Sequence, residues 1–237
     1  MHRQTMKSNY IYLIFLLLFI GCEKEKTDEL PENIIKIYPV ENVVDSLKLI
    51  FTENGNVQIN NPSFFSDTVQ KNIVLNKESH VYVTFLDEAT AAKNTLCWYS
   101  YSQSQPPQVI GNITGNVIFP NISKTGEGGL LELGYTVQLG TEKFVAGTVI
   151  GFFLIASGWN AGTINFNANT YYTNYNFNVA GEQMHILFKN SYSKYLVIGF
   201  EDNLTGPSDF NDILFAISDS DEGHEATSFD LSKVPVK

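Results

Sequence analysis

The chain has 237 residues, with 15 Lys and Arg against 25 Asp and Glu and a net charge of −10 at pH 7. Its basic residues are dispersed one or two at a time, so phosphates would find no basic patch and nucleic-acid binding is disfavoured. The four histidines include no i,i+4 pair, which excludes a zinc site of the His-Glu-x-x-His kind, and neither a Gly-x-Ser-x-Gly elbow nor a glycine-rich phosphate loop is present.

Arg3 and Lys7 precede the apolar run 11–20, IYLIFLLLFI, which is too short for a comfortable membrane span and carries a charged leading region. It reads as a secretory signal over residues 1–21. Gly21-Cys22 closes the run, and a small residue before Cys after an apolar core is the pattern at which lipoprotein processing cleaves and acylates. Phe19 stands where Leu is commoner in such sites. Lipidated Cys22 would hold the protein to a bilayer through acyl chains rather than a spanning helix. The predicted location is the cell envelope, as an outer-membrane lipoprotein facing the periplasm or the surface. Loss of residues 1–21 removes Arg3 and Lys7 but no acid, leaving 13 basic against 25 acidic residues and a net charge near −12. Such acidity suits solubility and cation binding.

Residues 22–44 are expected to form the lipidated Cys and a flexible tether, because Glu23 to Glu32 is charged and lacks aromatic residues. With Cys22 lipidated, Cys97 is left without a disulfide partner. It lies in the apolar run Thr95–Tyr99, which predicts a buried structural thiol.

From residue 45 to 218, strand signals dominate: Ser46–Phe51, His80–Phe85, Gly115–Phe119, Leu130–Gln138, Val149–Ala156 and Gln183–Phe188, with turn residues between them. A turn of helix is expected only at Asp87–Lys93. The pattern predicts an all-β fold, a single β-sandwich or jelly-roll-like domain over 45–218. Residues 219–237 are expected to be an acidic, solvated C-terminal tail.

The segment Tyr195–Ser218, YLVIGFEDNLTGPSDFNDILFAIS, carries the chemistry. Tyr195–Phe200 and Ile213–Ile217 read as the two strands of a hairpin, with turn formers at Asn203–Ser208. Glu201, Asp202, Asp209 and Asp212 then converge at its neck. Two unit charges about 4 Å apart repel by roughly 4 kcal/mol at an effective dielectric of about 20, so the cluster needs protons, basic partners or a cation. No Lys or Arg lies between Tyr195 and Ser218. A hard cation with oxygen ligands, calcium above all, is the simplest resolution, with Asn211 and turn carbonyls as further donors. Strict strand alternation would put Asp209 and Asn211 on one face and Asp212 on the other. A bulge or a wide loop is required to bring them to one ion.

The sequence GFEDNLTGPSDFNDILF resembles the C-terminal signature of the domain-of-unknown-function family numbered 4114 and of the related LruC-type domains of secreted and surface bacterial proteins. Thr84–Tyr101, Ala146–Asn160, Tyr172–Asn178 and His185–Phe188 are similar to successive stretches of that family, so the likeness runs from Val81 to Ser218. It implies a β-sandwich of surface proteins, with calcium binding and without a defined activity. It also implies that Glu88 and Asn94 complete the acidic site. Pro207 stands where the family often has a further Asp, two places before Asp209.

The expected function is ligand recognition or adhesion by a calcium-binding module, with a glycan or a surface protein as partner. Trp98, Trp159, Tyr171, Tyr172 and Tyr175 are candidates for stacking on sugar faces, although packing in a sandwich is the commoner fate of such side chains. Trp159, in the turn-like Ser157–Gly162, is the best placed for exposure. His185, on a strand between Met184 and Ile186, reads as a satisfied core or supporting histidine. No catalytic constellation is found. The alternatives are a jelly-roll glycoside hydrolase, with Glu88 facing Glu201 or Asp202 across a groove about 5–10 Å wide, and a structural subunit of a surface assembly.

Overall fold

The computed structural model describes residues 34–52, 55–205, 208–221 and 224–237. The predicted signal segment, Cys22, the first part of the predicted tether and Pro207 lie outside the described residues. Along the chain run β1 (Ile34–Ile37), α1 (Glu41–Lys48), α2 (Val57–Asn60), β2 (Ile73–Val74), β3 (Tyr82–Asp87), β4 (Thr95–Ser102) and β5 (Asn116–Phe119). There follow β6 (Tyr135–Gln138), β7 (Thr148–Ile155), β8 (Trp159–Asn160), β9 (Thr163–Ile164), β10 (Thr170–Tyr172), β11 (His185–Lys189), β12 (Leu196–Phe200) and β13 (Ile213–Ser218).

Apart from β8 and β9, which pair only with each other, the strands form two packed antiparallel sheets. One is six-stranded in the order β1-β6-β3-β13-β12-β11; the other has the order β10-β7-β4-β5, with β2 also paired to β7. Ile198, Phe200, Phe215 and Ile217 of the first sheet pack against Leu96, Ile150, Phe152 and Leu154 of the second to form the main core. The fold is all-β and sandwich-like, as the spacing of strands and turns predicts.

The six-stranded sheet is covered on its outer face as well. There Ile186, Phe188, Val197, Leu214 and Ala216 pack against Val43, Val44 and Leu47 of α1 and against Phe51 and Phe64. Burial on both faces is why β12 and β13 are continuously apolar rather than alternating, since alternation appears only where one face meets water.

Four expectations are corrected. Ser46–Phe51 is not a strand but the end of α1 and the turn after it. Leu47 is fully buried while Leu49 is 84% exposed; a strand would put both on one face, whereas positions two apart on a helix lie on opposite sides. The predicted tether to residue 44 ends earlier, because β1 pairs with β6 and α1 is docked on the sheet. Asp87–Lys93 forms no helix; it leaves β3 as the loop that crosses to the second sheet. The predicted solvated tail is integrated in its second part, while Asp221, His224 and Glu225 of its acidic start are exposed. Phe229 and Val234 enter the main core, Phe229 bridges Leu75, and Val236 bridges Lys189 at the edge of β11. The apolar positions of this segment, spaced among charges, contribute to burial that its acidic start conceals.

Candidate functional site

The register of the last hairpin places the carboxylates. Phe200 faces Ile213 across the β12–β13 ladder, so Glu201 and Asp212 are the next pair outward, at the neck. Glu201, Asp202 and Asp212 are all buried, at 4%, 9% and 9% exposure. Each offers a carboxylate oxygen that lies within 4.8 Å of the others. Asp209 and Asn211 are buried as well, but Asp209 stands outside this group of three.

Two departures from regular strand geometry bring these side chains together. Phe210 takes the left-handed conformation at φ 54°, which costs a non-glycine residue about 1–2 kcal/mol and breaks the alternation between Asp209 and Asp212. Its backbone N–H donates to Glu201 Oε2 at 3.4 Å. Across the sheet, the pairing of β13 with β3 slips between Leu214 and Phe215, opposite Asp87 and Phe85, a bulge of the kind that re-aims side chains beside sites. Gly199 permits the close return of the chain, since a Cβ there would sit 2.5 Å from the carbonyl oxygen of Phe210.

Hydrogen bonds join the neck to both sheets. Asp202 N–H donates to Asp212 Oδ2 at 2.7 Å. Asp202 Oδ2 accepts from Thr90 Oγ1 and from Asn94 Nδ2, each at 2.8 Å, both on the loop between β3 and β4. Asn94 Oδ1 in turn accepts from Ser157 N–H, just past β7, at 2.8 Å. Asn203 Nδ2 donates to Glu201 Oε1 and Asp202 Oδ1, each at 3.2 Å. One carboxylate therefore ties the hairpin of the first sheet to the ends of two strands of the second.

Burial first, then neighbouring carboxylate charge, raises the acids. Glu201 is pushed up to about 7 and Asp212 to about 9, so without a cation the pair holds a proton. Among the described residues no Lys or Arg forms an ion pair with Glu201, Asp202 or Asp212. The nearby cation Lys124 is engaged elsewhere, with Asp87 Oδ1 at 2.9 Å and Glu127 at 3.6 Å. The neck thus resolves its repulsion by protons or by a bound cation.

The donor set fits a hard cation. It consists of oxygens, without His or Cys, and ligands about 2.3–2.6 Å from one ion lie at most about 5 Å from each other. Glu88 stands outside this set. Its Oε2 accepts from Thr90 N–H and its Oε1 from Lys124 N–H, each at 3.1 Å. Glu88 is a buried anchor of the β3–β4 loop, its carboxylate committed to backbone donors. Asn94 does join the network, as a hydrogen-bond donor to Asp202.

The aromatic candidates disperse. Trp98 is buried between the sheets, edge-on to Phe144 with ring centroids 5.5 Å apart. Tyr171 is buried, and Tyr172 stacks on Phe153 outside the second sheet at 5.3 Å. Trp159 is half-buried in β8, its backbone N–H donating to Lys93 O. They form no common platform. His185 is fully buried, and burial pushes it down to about 4, so it is neutral; its Nε2 lies 2.8 Å from Lys71 O. Cys97 is free and buried, its thiol pushed up to about 12 by burial. Sequence reasoning missed Thr90 and Asn203 as partners of the carboxylates. Asn203 adjoins the acidic pair in sequence, whereas nothing local marks Thr90, whose role depends on the crossover loop.

Fold and cluster define an all-β, sandwich-like domain with a buried carboxylate neck at one end. Residues 144–220 match the model of the family described as Domain of unknown function (DUF4114). The matched segment includes the last hairpin, whose sequence resembles that same family, and the match begins well after Val81. No curated protein and no solved structure matches the chain.

Proposed function

We propose that this protein is a lipid-anchored envelope protein whose sandwich-like domain binds calcium at the β12–β13 neck and serves in adhesion or in recognition of a glycan or surface protein. The observation that carries this reading is the set of three buried carboxylates within 4.8 Å, without a basic partner among the described residues. A divalent cation replaces the protons that burial otherwise demands. Calcium suits the set better than magnesium, because it takes 6–8 oxygen ligands in irregular geometry, whereas magnesium keeps several waters and near-octahedral order. By fixing Asp202 it fixes the β3–β4 loop and, through Asn94, the end of β7. The role is structural: it rigidifies the end of the domain that presents loops.

Titration calorimetry with calcium and magnesium tests the site. Asp202→Asn and Asp212→Asn are each expected to weaken calcium binding at least tenfold, about 1.4 kcal/mol. Parent-like affinity in both variants would remove the assignment. For the anchor, labelling of cells with radioactive palmitate is expected to mark the parent and not Cys22→Ser. Equal label in the two would refute lipidation at that residue.

A further inference from the structure

Beside the neck, on the side of Asp202, an open groove of about 640 Å³ runs between the chain just past β7, the segment before β10 and the hairpin turn. Its volume is in the range of small-molecule sites, about 300–1,000 Å³, but its lining is polar where most such sites are apolar. Asn167, Asn169, Ser157 and Thr205 all line it and all are exposed. Among the described residues none of these four side chains has a hydrogen-bond partner within the chain. Two carboxamides and two hydroxyls, each both donor and acceptor, are therefore unspent along one groove. Among the described residues neither Lys nor Arg lines it, so an anionic ligand would meet the Asp202 carboxylate without compensation. An apolar ligand would strip water from the amides and return nothing.

We infer that this groove binds a neutral oligosaccharide, its hydroxyls paired with the free side chains of Asn167, Asn169, Ser157 and Thr205. A carboxamide presents a donor and an acceptor side by side and so matches a pair of adjacent sugar hydroxyls. The groove is also held in shape. Ser157 sits in the left-handed region at φ 50°, and its N–H is fixed by Asn94, which donates to Asp202 on the opposite wall. Strain maintained by a surrounding network is a mark of preorganised sites. The inference rests on the recognition role proposed above and gives it a place and a ligand class. Because both walls meet at Asp202, calcium strengthens binding by holding them.

The test is binding of the purified protein to a panel of neutral oligosaccharides (cello-, xylo-, manno- and N-acetylglucosamine tetramers) and of acidic oligogalacturonates, with calcium and with chelator. The melting shift with calcium is measured on the same samples. The expected result is retention of at least one neutral tetramer, weakened tenfold or more in Asn167→Ala/Asn169→Ala, while that variant keeps the parent's calcium shift. Three results would overturn the inference: parent-like binding by the double variant, binding of the acidic sugars alone, or no binding across the panel by protein that still shows the calcium shift. The last leaves the calcium reading standing. Neutral binding that needs Asn167 and Asn169, with no calcium shift, would do the reverse.

Discussion

At the scale of single residues, Asp212 decides how the neck behaves. Its side chain receives the Asp202 N–H and lies against Glu201 and Asp202, so in the absence of a cation the Glu201–Asp212 pair keeps a proton. An asparagine there reproduces the protonated form, since its Oδ1 still accepts from Asp202 N–H, but it cannot supply charge to an ion. Asp212→Asn is therefore expected to be at least as stable as the parent in chelator at pH 8.5, and less stable than the parent in calcium. Urea midpoints in the two conditions check both halves. The pH dependence has a definite sign. A carboxyl raised by folding gives stability that is fully present below its ordinary value near 4 and is lost as pH rises through the folded value, here about 7 for Glu201 and about 9 for Asp212. His185 works oppositely, losing stability as pH falls from 6.5 toward about 4, so above 6.5 its own contribution is constant. In chelator the melting temperature should fall between pH 6.5 and 9, and calcium should flatten that fall. A flat profile in chelator would mean that the acids are not linked to folding.

At the scale of elements, the last hairpin was legible because its two strands are apolar on both sides and its turn is rich in Asn, Gly and Pro. The carboxylates of the neck were legible for the same reason, since the register of an apolar hairpin fixes what stands beside its turn. The geometry that gathers them was not. The left-handed Phe210 and the bulge opposite Asp87 arise from packing against Phe65 and β3, contacts remote in sequence. Helix α1 was hidden because Ser46–Phe51 alternates in hydropathy as a strand does, while its helical stripe, Val43, Val44 and Leu47, began earlier. The two readings differ in a measurable way. Leu47→Ala should cost about 2–5 kcal/mol and Leu49→Ala within about 0.5 kcal/mol, by urea denaturation. Similar losses at the two positions would contradict the helix. The C-terminal segment makes a comparable claim: Phe229→Ala should cost about 3–5 kcal/mol, which a solvated tail would not.

At the scale of the whole molecule, the two sheets are joined by apolar packing through their centre and by polar contacts at the neck end, where Asp202, Thr90, Asn94 and Ser157 link hairpin, crossover loop and β7. A cation at that end links binding to global stability, because an unfolded chain does not assemble the three carboxylates. The most direct measurement is the melting temperature of the protein in excess chelator, in calcium and in magnesium. Calcium at about 100 times its dissociation constant adds roughly 2.7 kcal/mol. At about 2–4 °C per kcal/mol for a domain of this size, the predicted rise is roughly 5–10 °C with calcium, and less with magnesium. No rise with calcium, or an equal rise with magnesium, would contradict a calcium site at the β12–β13 neck.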